Sequence, residues 1–146
     1  MTDTVHERVM NGMADVVSTH DWARLGEYFH ADAVLEFPQS GERFRGVANI
    51  RAQFAGYPAL ESGTSRLEEV IGETIAYALT RSYTVIDIEG TGNRGTAIIR
   101  VRYPDGSLWY ALNVYELRDG RIDRCRTYFA PDFDPPAWRE PFREAP

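Results

Sequence analysis

Several residue types are scarce or absent in this 146-residue chain, which has one cysteine and no lysine. The single cysteine, Cys125, excludes an intramolecular disulfide framework and a cysteine-rich zinc site. Because the formal net charge is −6, a general affinity for nucleic acid or for an anionic membrane is not expected. No apolar run approaches the roughly 20 residues that span a bilayer, and the N-terminus lacks the apolar segment of a signal peptide. We therefore expect a cytoplasmic protein that binds neither nucleic acid nor membrane.

The composition is otherwise that of a globular protein, with 43% hydrophobic and 26% charged residues, and the length suits one domain. Aromatic residues make up 12% of the chain, and such side chains need a core or a pocket to lie in. The three histidines, His6, His20 and His30, form no pattern with metal-ligand spacing. We predict neither a metal site nor a cofactor.

The first part of the chain predicts helices. Residues 5–18 carry apolar side chains at helical spacing. Asp21 is expected to cap a second, short helix with one apolar side, formed by Trp22, Leu25, Tyr28 and Phe29. A strand is predicted over 33–38, a loop with two glycines over 39–46, and a third helix over 47–55.

The second part of the chain predicts strands, over residues 65–73, 81–89, 95–103, 107–118 and 121–129. Asp-Gly pairs at 105–106 and 119–120 are strong hairpin signals between these strands, and residues 90–93 form a looser turn. Helices followed by consecutive antiparallel strands indicate an α+β fold, in which a curved antiparallel sheet packs against three helices at the N-terminus.

The predicted strand over 107–118 is apolar on both faces. One face carries Trp109, Ala111, Asn113, Tyr115 and Leu117, and the other carries Leu108, Tyr110, Leu112, Val114 and Glu116. A strand that is apolar on both faces is covered on both. The helices cover one face, and a second copy of the chain is the simplest cover for the other, so we predict a homodimer.

The C-terminal residues 131–146 contain too many prolines for the interior of a strand, yet they carry three aromatic side chains. We predict one domain over 1–130, followed by a tail over 131–146 that packs on the body or on the dimer partner. Trp138 and Phe142 are expected to cover a pocket mouth or to cross the dimer.

Four segments, 31–38, 46–50, 114–122 and 126–129, carry a resemblance to a known family. In their order and spacing, the chain resembles the nuclear transport factor 2-like superfamily and, within it, the SnoaL-like bacterial branch. The resemblance implies a cone-shaped fold, with a pocket between the concave face of the sheet and the helices. Its members include ketosteroid isomerases, limonene epoxide hydrolases, polyketide cyclases, dehydratases and binding proteins, so the fold leaves the reaction open.

Compared with the ketosteroid isomerases, the chain lacks the residues of the usual mechanism. The resemblance places Phe37 at the position of their carboxylate base, Met13 at that of the oxyanion tyrosine, and Asn113 at that of the oxyanion acid. The base is missing, whereas an amide N–H is still able to stabilise an oxyanion. Asn113 has two interpretations: a pocket donor that orients a ligand oxygen, which we favour, or a buried amide satisfied within the fold.

Compared with the limonene epoxide hydrolases, the chain lacks both acids. Thr127 stands at the position of their late-strand aspartate, and Arg100 with Arg102 resembles their Arg-x-Asp pair. By the resemblance both arginines point inward, where a pair would bind a carboxylate or phosphate. By strand alternation they lie on the outer face, and we favour this interpretation.

The predicted catalytic residues are Asn113, Tyr115 and Tyr83, because an amide and a tyrosine hydroxyl polarise a substrate oxygen. The other predicted ligand-binding residues surround a largely apolar pocket: Met13, Trp22, Phe37, Gln39, Phe54, Tyr103, Trp109, Cys125, Thr127 and Phe129. Gln53 is a further candidate contact. Among the acids, Glu36, Asp15 and Asp87 are interpreted as solvated charges rather than as bases.

The resulting functional prediction is a cofactor-free isomerase, cyclase or lyase that acts on a small apolar, oxygen-bearing molecule of polyketide or terpenoid type. The alternatives are a non-catalytic binding or accessory protein with the same pocket, and a structural dimerisation module. A carboxylate or a His–Asp pair facing inward would favour the enzyme, a sealed apolar cavity the binding protein, and a filled interior the structural module.

Overall fold

The computed structural model describes residues 1–56, 66–68, 77–79, 83–103 and 107–144. The elements are, in chain order, α1 (Thr4–Thr19), a 3-10 helix (Trp22–Glu27), β1 (Phe29–Phe37), β2 (Glu42–Arg45), α2 (Val47–Ala55), β3 (Arg66–Glu68), β4 (Tyr77–Leu79), β5 (Tyr83–Thr91), β6 (Arg94–Arg102), β7 (Leu108–Arg118), β8 (Arg121–Pro131) and a second 3-10 helix (Ala137–Phe142). Within these residues, no helix has the length and apolar character needed to cross a bilayer.

Six strands form a curved, open sheet in the order β2–β1–β8–β7–β6–β5, and β3 pairs separately with β4. Neighbouring strands of the large sheet are antiparallel, except that β1 runs parallel to β8. The predicted α+β class, with helices preceding a curved sheet, is confirmed. The parallel pair brings an early strand beside the last one, a long-range pairing that local patterns do not reveal.

Local prediction is most accurate where the side-chain period is regular. The predicted helix over 5–18 differs from α1 by one residue at each end, and the predicted helix over 47–55 matches α2. The predicted turn at 119–120 joins β7 to β8, and Asp119 and Gly120 both have positive φ, as a two-residue hairpin turn of type I′ requires. The predicted turn at 104–106 lies outside the described residues, as does most of the predicted strand over 65–73.

Three local predictions are wrong. Asp21 makes no capping hydrogen bond with its side chain, and its carboxylate faces Nη1 of Arg24 at 4.0 Å instead. Phe29 begins β1 rather than continuing the second helix. The predicted loop over 39–46 contains β2, a four-residue strand that pairs with the end of β1. Because β2 is mostly exposed and polar, it has no apolar alternation to signal a strand.

The two faces of β7 differ in burial, although both are largely apolar as predicted. Its inner face is buried through Ala111, Asn113, Tyr115 and Leu117. The outer face is exposed, and Tyr110, Leu112 and Val114 form with Tyr128 of β8 an apolar surface whose residues are each 37–40% exposed.

Arg100 also lies on the outer face of the sheet. Its guanidinium stands 4.2 Å from the ring centroid of Tyr110, and it pairs with the carboxylate of Asp132. Arg102 is exposed. The alternation pattern was therefore the correct guide to these arginines, and the inward orientation suggested by the epoxide hydrolases is wrong.

The aromatic side chains of the tail, residues 131–144, do not pack closely on the body. Phe133, Trp138 and Phe142 remain 68–83% exposed, and the guanidinium of Arg139 lies 5.1 Å from the ring of Trp138. These aromatic side chains do not cover a pocket mouth in this chain. Their packing on a second copy stays a prediction.

One end of the interior, which we call the closed end, consists of His6, Gly90, Gly95 and Tyr115. His6 and Tyr115 are buried, and Nδ1 of His6 lies 3.0 Å from the Tyr115 hydroxyl. Nε2 of His6 lies 3.1 Å from the carbonyl oxygen of Gly92. Since a carbonyl only accepts, Nε2 carries the proton and Nδ1 accepts from the tyrosine. A Cβ at Gly90 would lie 2.5 Å from Nδ1, so the absence of a side chain there admits the histidine.

Candidate ligand-binding site

The other end of the interior contains a cavity, which we call the inner cavity. It leaves about 40 Å³ for the centres of water-sized spheres, which is room for a few water molecules. The described residues that line it are Met13, Val17, Phe29, Leu35, Phe37, Gln53, Phe54, Val101, Tyr103, Ala111, Asn113, Cys125, Thr127 and Phe129. The walls are therefore aliphatic and aromatic, with a few polar groups.

A wider outer groove adjoins the inner cavity and shares Phe37, Gln53 and Phe129 with it. On the same measure its volume is about 580 Å³, and its other lining residues are Gln39, Ser40, Glu42, Phe44, Gly56 and Trp109. The side chain of Phe37 packs edge-on against Phe129 at 5.1 Å and against Phe44 at 5.2 Å between ring centroids. These rings form the boundary between the narrow and the wide space.

Three adjacent polar side chains, Asn113, Cys125 and Thr127, form a polar cluster on the sheet side of the inner cavity. The Thr127 hydroxyl donates to Oδ1 of Asn113 at 2.7 Å, and the Cys125 thiol lies 3.7 Å from the same oxygen. The register of β7 and β8 explains the cluster, since Asn113 is paired with Thr127, and Cys125 lies two residues before Thr127 on the same face of β8. All three residues are buried.

The amide of Asn113 has a defined orientation. Its Nδ2 lies 3.3 Å from the carbonyl oxygen of Ala97 and 3.5 Å from that of Ala111. A flipped amide would place Oδ1 against two carbonyl oxygens, so the nitrogen must face them. The amide is thus satisfied by backbone groups and also borders the cavity, and its role as a donor to a ligand stays a prediction.

Cys125 has no sign of activation. Burial raises the pKa of its thiol to about 12, although the Thr127 hydroxyl acts in the opposite direction. The group is therefore a protonated thiol at neutral pH rather than a nucleophilic thiolate.

Two glutamines have distinct roles near the mouth. Gln39 forms two hydrogen bonds with the backbone of Phe129, donating to its carbonyl at 2.8 Å and accepting from its N–H at 2.6 Å. Gln39 thus fixes Phe129 at the boundary of the cavity. Gln53 lines both spaces, and its buried Oε1 has no hydrogen-bond partner among the described residues.

The structure brings together most of the residues predicted for the site. Eight of them line the inner cavity: Met13, Phe37, Phe54, Tyr103, Asn113, Cys125, Thr127 and Phe129. Gln39 and Trp109 line the outer groove instead. Trp22 lies outside both linings and stacks on Phe54, with 6.2 Å between ring centroids.

Of the two predicted catalytic tyrosines, Tyr115 is not part of the described lining. The hydroxyl of Tyr115 is engaged by His6 at the closed end, and burial raises its pKa to about 12. The backbone of Tyr83 pairs with Val101, but its side chain lies outside the described residues.

Five apolar lining residues were not predicted: Val17, Phe29, Leu35, Val101 and Ala111. Four of them could have been predicted by continuing the helical repeat or the strand alternation from a residue that was predicted. Val17 is one helical turn after Met13, and three others lie two residues before a predicted lining residue on the same strand face.

The acidic residues considered as bases lie elsewhere. Glu36 accepts from Arg124 at 2.7 Å and from Arg43 at 3.2 Å, and the Arg124 hydrogen bond lowers the pKa of its carboxyl group. Asp15 pairs with Arg24, and Asp87 is exposed. The described lining of the inner cavity contains no carboxylate and no histidine. No group of three or more potential metal ligands occurs in the described part of the chain.

Comparison with known proteins gives a consistent result at the level of the fold. A model of the SnoaL-like domain family matches residues 10–125. No curated protein matches the sequence at a significant level. An NTF-2-like protein of unknown function from Burkholderia xenovorans LB400 superposes with a TM-score of 0.75 at 22% identity, over 97% of this chain and 95% of that one.

Two further solved structures are similar to this chain. A candidate ketosteroid isomerase from Kribbella flavida has a TM-score of 0.74 at 18% identity, over 99% of this chain and 90% of its own. A candidate polyketide cyclase from Sinorhizobium meliloti has a TM-score of 0.59 at 22% identity, over 82% and 92%. At these identities the likeness establishes the fold alone.

Proposed function

The chain belongs to the family of SnoaL-like domains, within the nuclear transport factor 2-like superfamily, and on this premise we propose that its inner cavity binds a small, largely apolar molecule that carries an oxygen. The observation that carries this proposal is the position of the polar cluster, Asn113, Cys125 and Thr127, in a lining that is otherwise mostly apolar. Such a site buries a hydrocarbon body and orients it by one polar atom.

Two observations distinguish the three functions considered. A purely structural module would have a filled interior, whereas the described interior leaves a cavity beside the polar cluster. An acid–base enzyme would place a carboxylate or a histidine in the cavity, and the described lining contributes neither. Binding is therefore the function that this geometry supports best.

Cofactor-free isomerase, cyclase or lyase activity is the second candidate. It is supported by the names of two of the similar structures and by the contact of Asn113 with the cavity. The amide hydrogen bonds to Ala97 and Ala111 are long, at 3.3 Å and 3.5 Å. Because such long hydrogen bonds are weak, a substrate oxygen would be able to displace a backbone carbonyl as the acceptor of an amide proton. In this second candidate function Asn113 polarises the substrate oxygen and Tyr83 keeps the role predicted from the sequence, whereas the Tyr115 hydroxyl is bound to His6 outside the cavity lining.

A thermal-shift screen of wild type and Asn113→Leu tests the binding proposal. The compounds are cyclic ketones, epoxides, alcohols, aromatic polyketides and fatty acids. A ligand at 100 times its dissociation constant stabilises the fold by about 2.7 kcal/mol, which raises the melting temperature by several degrees. We expect at least one class to stabilise wild type, and the shift to shrink in Asn113→Leu.

Asn49→Leu is the matched control, because it makes the same chemical change at an exposed amide on α2 whose nitrogen donates to the backbone carbonyl of Arg45. Its ligand response should equal that of wild type. Stabilisation that survives in Asn113→Leu would place the ligand elsewhere. Conversion of a stabilising compound, followed by mass spectrometry, would favour the enzyme.

The homodimer remains part of the proposal. It is supported by the outer-face surface of Tyr110, Leu112, Val114 and Tyr128, since exposed apolar patches mark interaction sites. Deletion of residues 131–146 should lower the melting temperature or dissociate the dimer, because the tail aromatics are then lost from the interface. Unchanged melting and unchanged mass in light scattering would contradict a role for the tail.

A further inference from the structure

The polar cluster contains few hydrogen atoms that a ligand could accept. Asn113 has two amide protons, and both face backbone carbonyls, of Ala97 and Ala111. Thr127 has one hydroxyl proton, and Cys125 has one thiol proton. The cluster therefore holds four protons, of which the two amide protons already face backbone acceptors.

The proton of Thr127 is committed to Asn113. The amide orientation leaves Oδ1 as a pure acceptor, and the hydroxyl oxygen lies 2.7 Å from it. Two oxygens at this distance share one proton, and only the threonine has one to give. The hydroxyl oxygen of Thr127 is thereby left with its lone pairs.

The proton of Cys125 also has a partner within the cluster. The sulfur lies 3.7 Å from Oδ1 of Asn113 and 3.8 Å from the hydroxyl oxygen of Thr127. Whichever acceptor it uses, at least one lone pair on the Thr127 oxygen remains open. The free hydrogen-bonding capacity of the cluster thus consists of lone pairs and not of protons.

Gln53 gives an independent indication that the inner cavity is incomplete without a polar partner. Its Oε1 is buried and has no hydrogen-bond partner among the described residues. A buried polar atom without a partner carries a desolvation penalty. Because its amide is able to turn by half a rotation, Gln53 accepts either a donor or an acceptor from a ligand, whereas the cluster does not have this freedom.

We propose that the inner cavity selects molecules that donate a hydrogen bond to Thr127, namely alcohols or phenols, over ketones and epoxides of the same carbon skeleton. This selectivity rests on the binding function proposed above and narrows its substrate class. A ketone that binds to the cluster would have to take the Thr127 proton, which leaves Oδ1 of Asn113 with only the weak thiol donor, or accept from the thiol itself, which is a weak donor. An alcohol donates without disturbing the cluster.

The two volumes indicate how such a molecule lies. The inner cavity, at about 40 Å³, is suited to a slender end that bears the hydroxyl group. The outer groove, at about 580 Å³, is able to take the remaining apolar body past Phe37 and Phe129. A narrow aliphatic skeleton is therefore the suitable probe.

Amide NMR titrations of the full chain test the proposal with methyl butyl carbinol and methyl butyl ketone, which share one carbon skeleton and differ in the donor. In wild type we expect the alcohol to bind at least about tenfold more tightly, because an unmatched buried acceptor costs on the order of 1.4 kcal/mol or more. Thr127→Ser keeps the hydroxyl and should keep the preference. Thr127→Val removes it and should bring the two affinities together.

The outcomes separate this inference from the function on which it rests. Equal affinities in wild type, or tighter binding of the ketone, would overturn the selectivity and leave the binding function intact. If neither compound shifts the amide signals of the cavity up to its solubility limit, both are overturned. An undiminished preference in a folded Thr127→Val variant would overturn the role of Thr127. If Thr127→Val does not fold, the affinities of the alcohol and the ketone for wild type still decide whether the cavity is selective.

Discussion

Tyr115 and Asn113 lie two residues apart on the same face of β7, but they face opposite ends of the interior. At the closed end, the Tyr115 hydroxyl meets His6, and the space between strands and helix is filled. At the other end, Asn113 meets Thr127 and borders the inner cavity. The same strand face therefore supplies packing at one end and a site at the other.

The difference between the two ends comes from the partner strands. Opposite Tyr115 in the register of β6 stands Gly95, which has no side chain and allows His6 and the tyrosine to approach the sheet. At the other end, β6 contributes Val101 and Tyr103 and β8 contributes Phe129, whose side chains line the cavity. Where the strands carry glycine, helix α1 packs directly on the sheet and leaves no cavity. Where they carry bulky residues, the inner cavity remains.

The largest expected effect comes from filling the closed end. In Gly95→Ala, the added Cβ would overlap the Tyr115 hydroxyl and lie 2.7 Å from Nδ1 of His6. Overpacking of this kind costs about 1–3 kcal/mol, which denaturant unfolding measures. The control is Gly26→Ala, where nothing lies within 4 Å of the added atom. Equal stability of the two variants would show that the closed end is not tightly filled.

Removing the hydroxyl at the closed end should have a smaller effect. Tyr115→Phe leaves Nδ1 of the buried His6 without its donor, and because no atom is forced out of place we expect a loss of about 1 kcal/mol, the low end of the cost of an unsatisfied buried acceptor. Tyr128→Phe removes the same atom from a partly exposed ring and should change the free energy of unfolding by less than about 0.5 kcal/mol. If Tyr115→Phe is as stable as this control, the hydrogen bond to His6 contributes nothing, and Tyr115 becomes a stronger candidate for the catalytic role predicted from the sequence.

At the open end, loss of the Gln39 side chain should loosen the boundary of the cavity. Gln39→Ala removes two hydrogen bonds to the backbone of Phe129, and since the site is exposed we expect a loss of about 0.5–1.5 kcal/mol. Gln39→Glu retains only the acceptor and should fall between wild type and alanine. If the glutamate variant is the less stable of the two, the paired hydrogen bonds are not what holds Phe129.

The smallest effect is expected at the ion pair of Glu36 and Arg124, which belongs neither to the closed end nor to the inner cavity. Glu36 has a lowered pKa, first because of its hydrogen bond with Arg124, so its charged form stabilises the folded state. This contribution is present above the ordinary glutamate pKa of about 4.5 and is lost as the pH falls through the lower pKa of the folded state. Wild type should therefore melt at a higher temperature than Glu36→Gln at neutral pH, and the difference should vanish in acid. A difference that grows in acid would have the wrong sign.

The sequence predicted the elements with regular periods and the residues that the family resemblance places in the pocket. The bounds of α1 followed from its apolar stripe, and Met13, Asn113 and Thr127 came from the resemblance. Strand β2 and the parallel pair of β1 and β8 were missed, because exposed polar residues and long-range pairing leave no local signal.

The role of His6 could not be predicted for a similar reason. Its partners Tyr115 and Gly92 are distant along the chain, and only the fold brings them to one point. Tyr115 was therefore predicted as catalytic from its place on the inner face, without the histidine that engages it. Alternation along a strand predicts which face a residue lies on, but not whether it lies at the closed end or beside the inner cavity.

The most direct test of the contrast between the two ends is an amide NMR map of the protein with methyl butyl carbinol bound. Binding at the polar cluster predicts the largest shifts at Asn113, Cys125, Thr127 and Phe129, with small shifts at His6, Gly90 and Gly95. Largest shifts at the closed end, or none at the cluster on saturation, would contradict the assignment of the site to the open end of the cone.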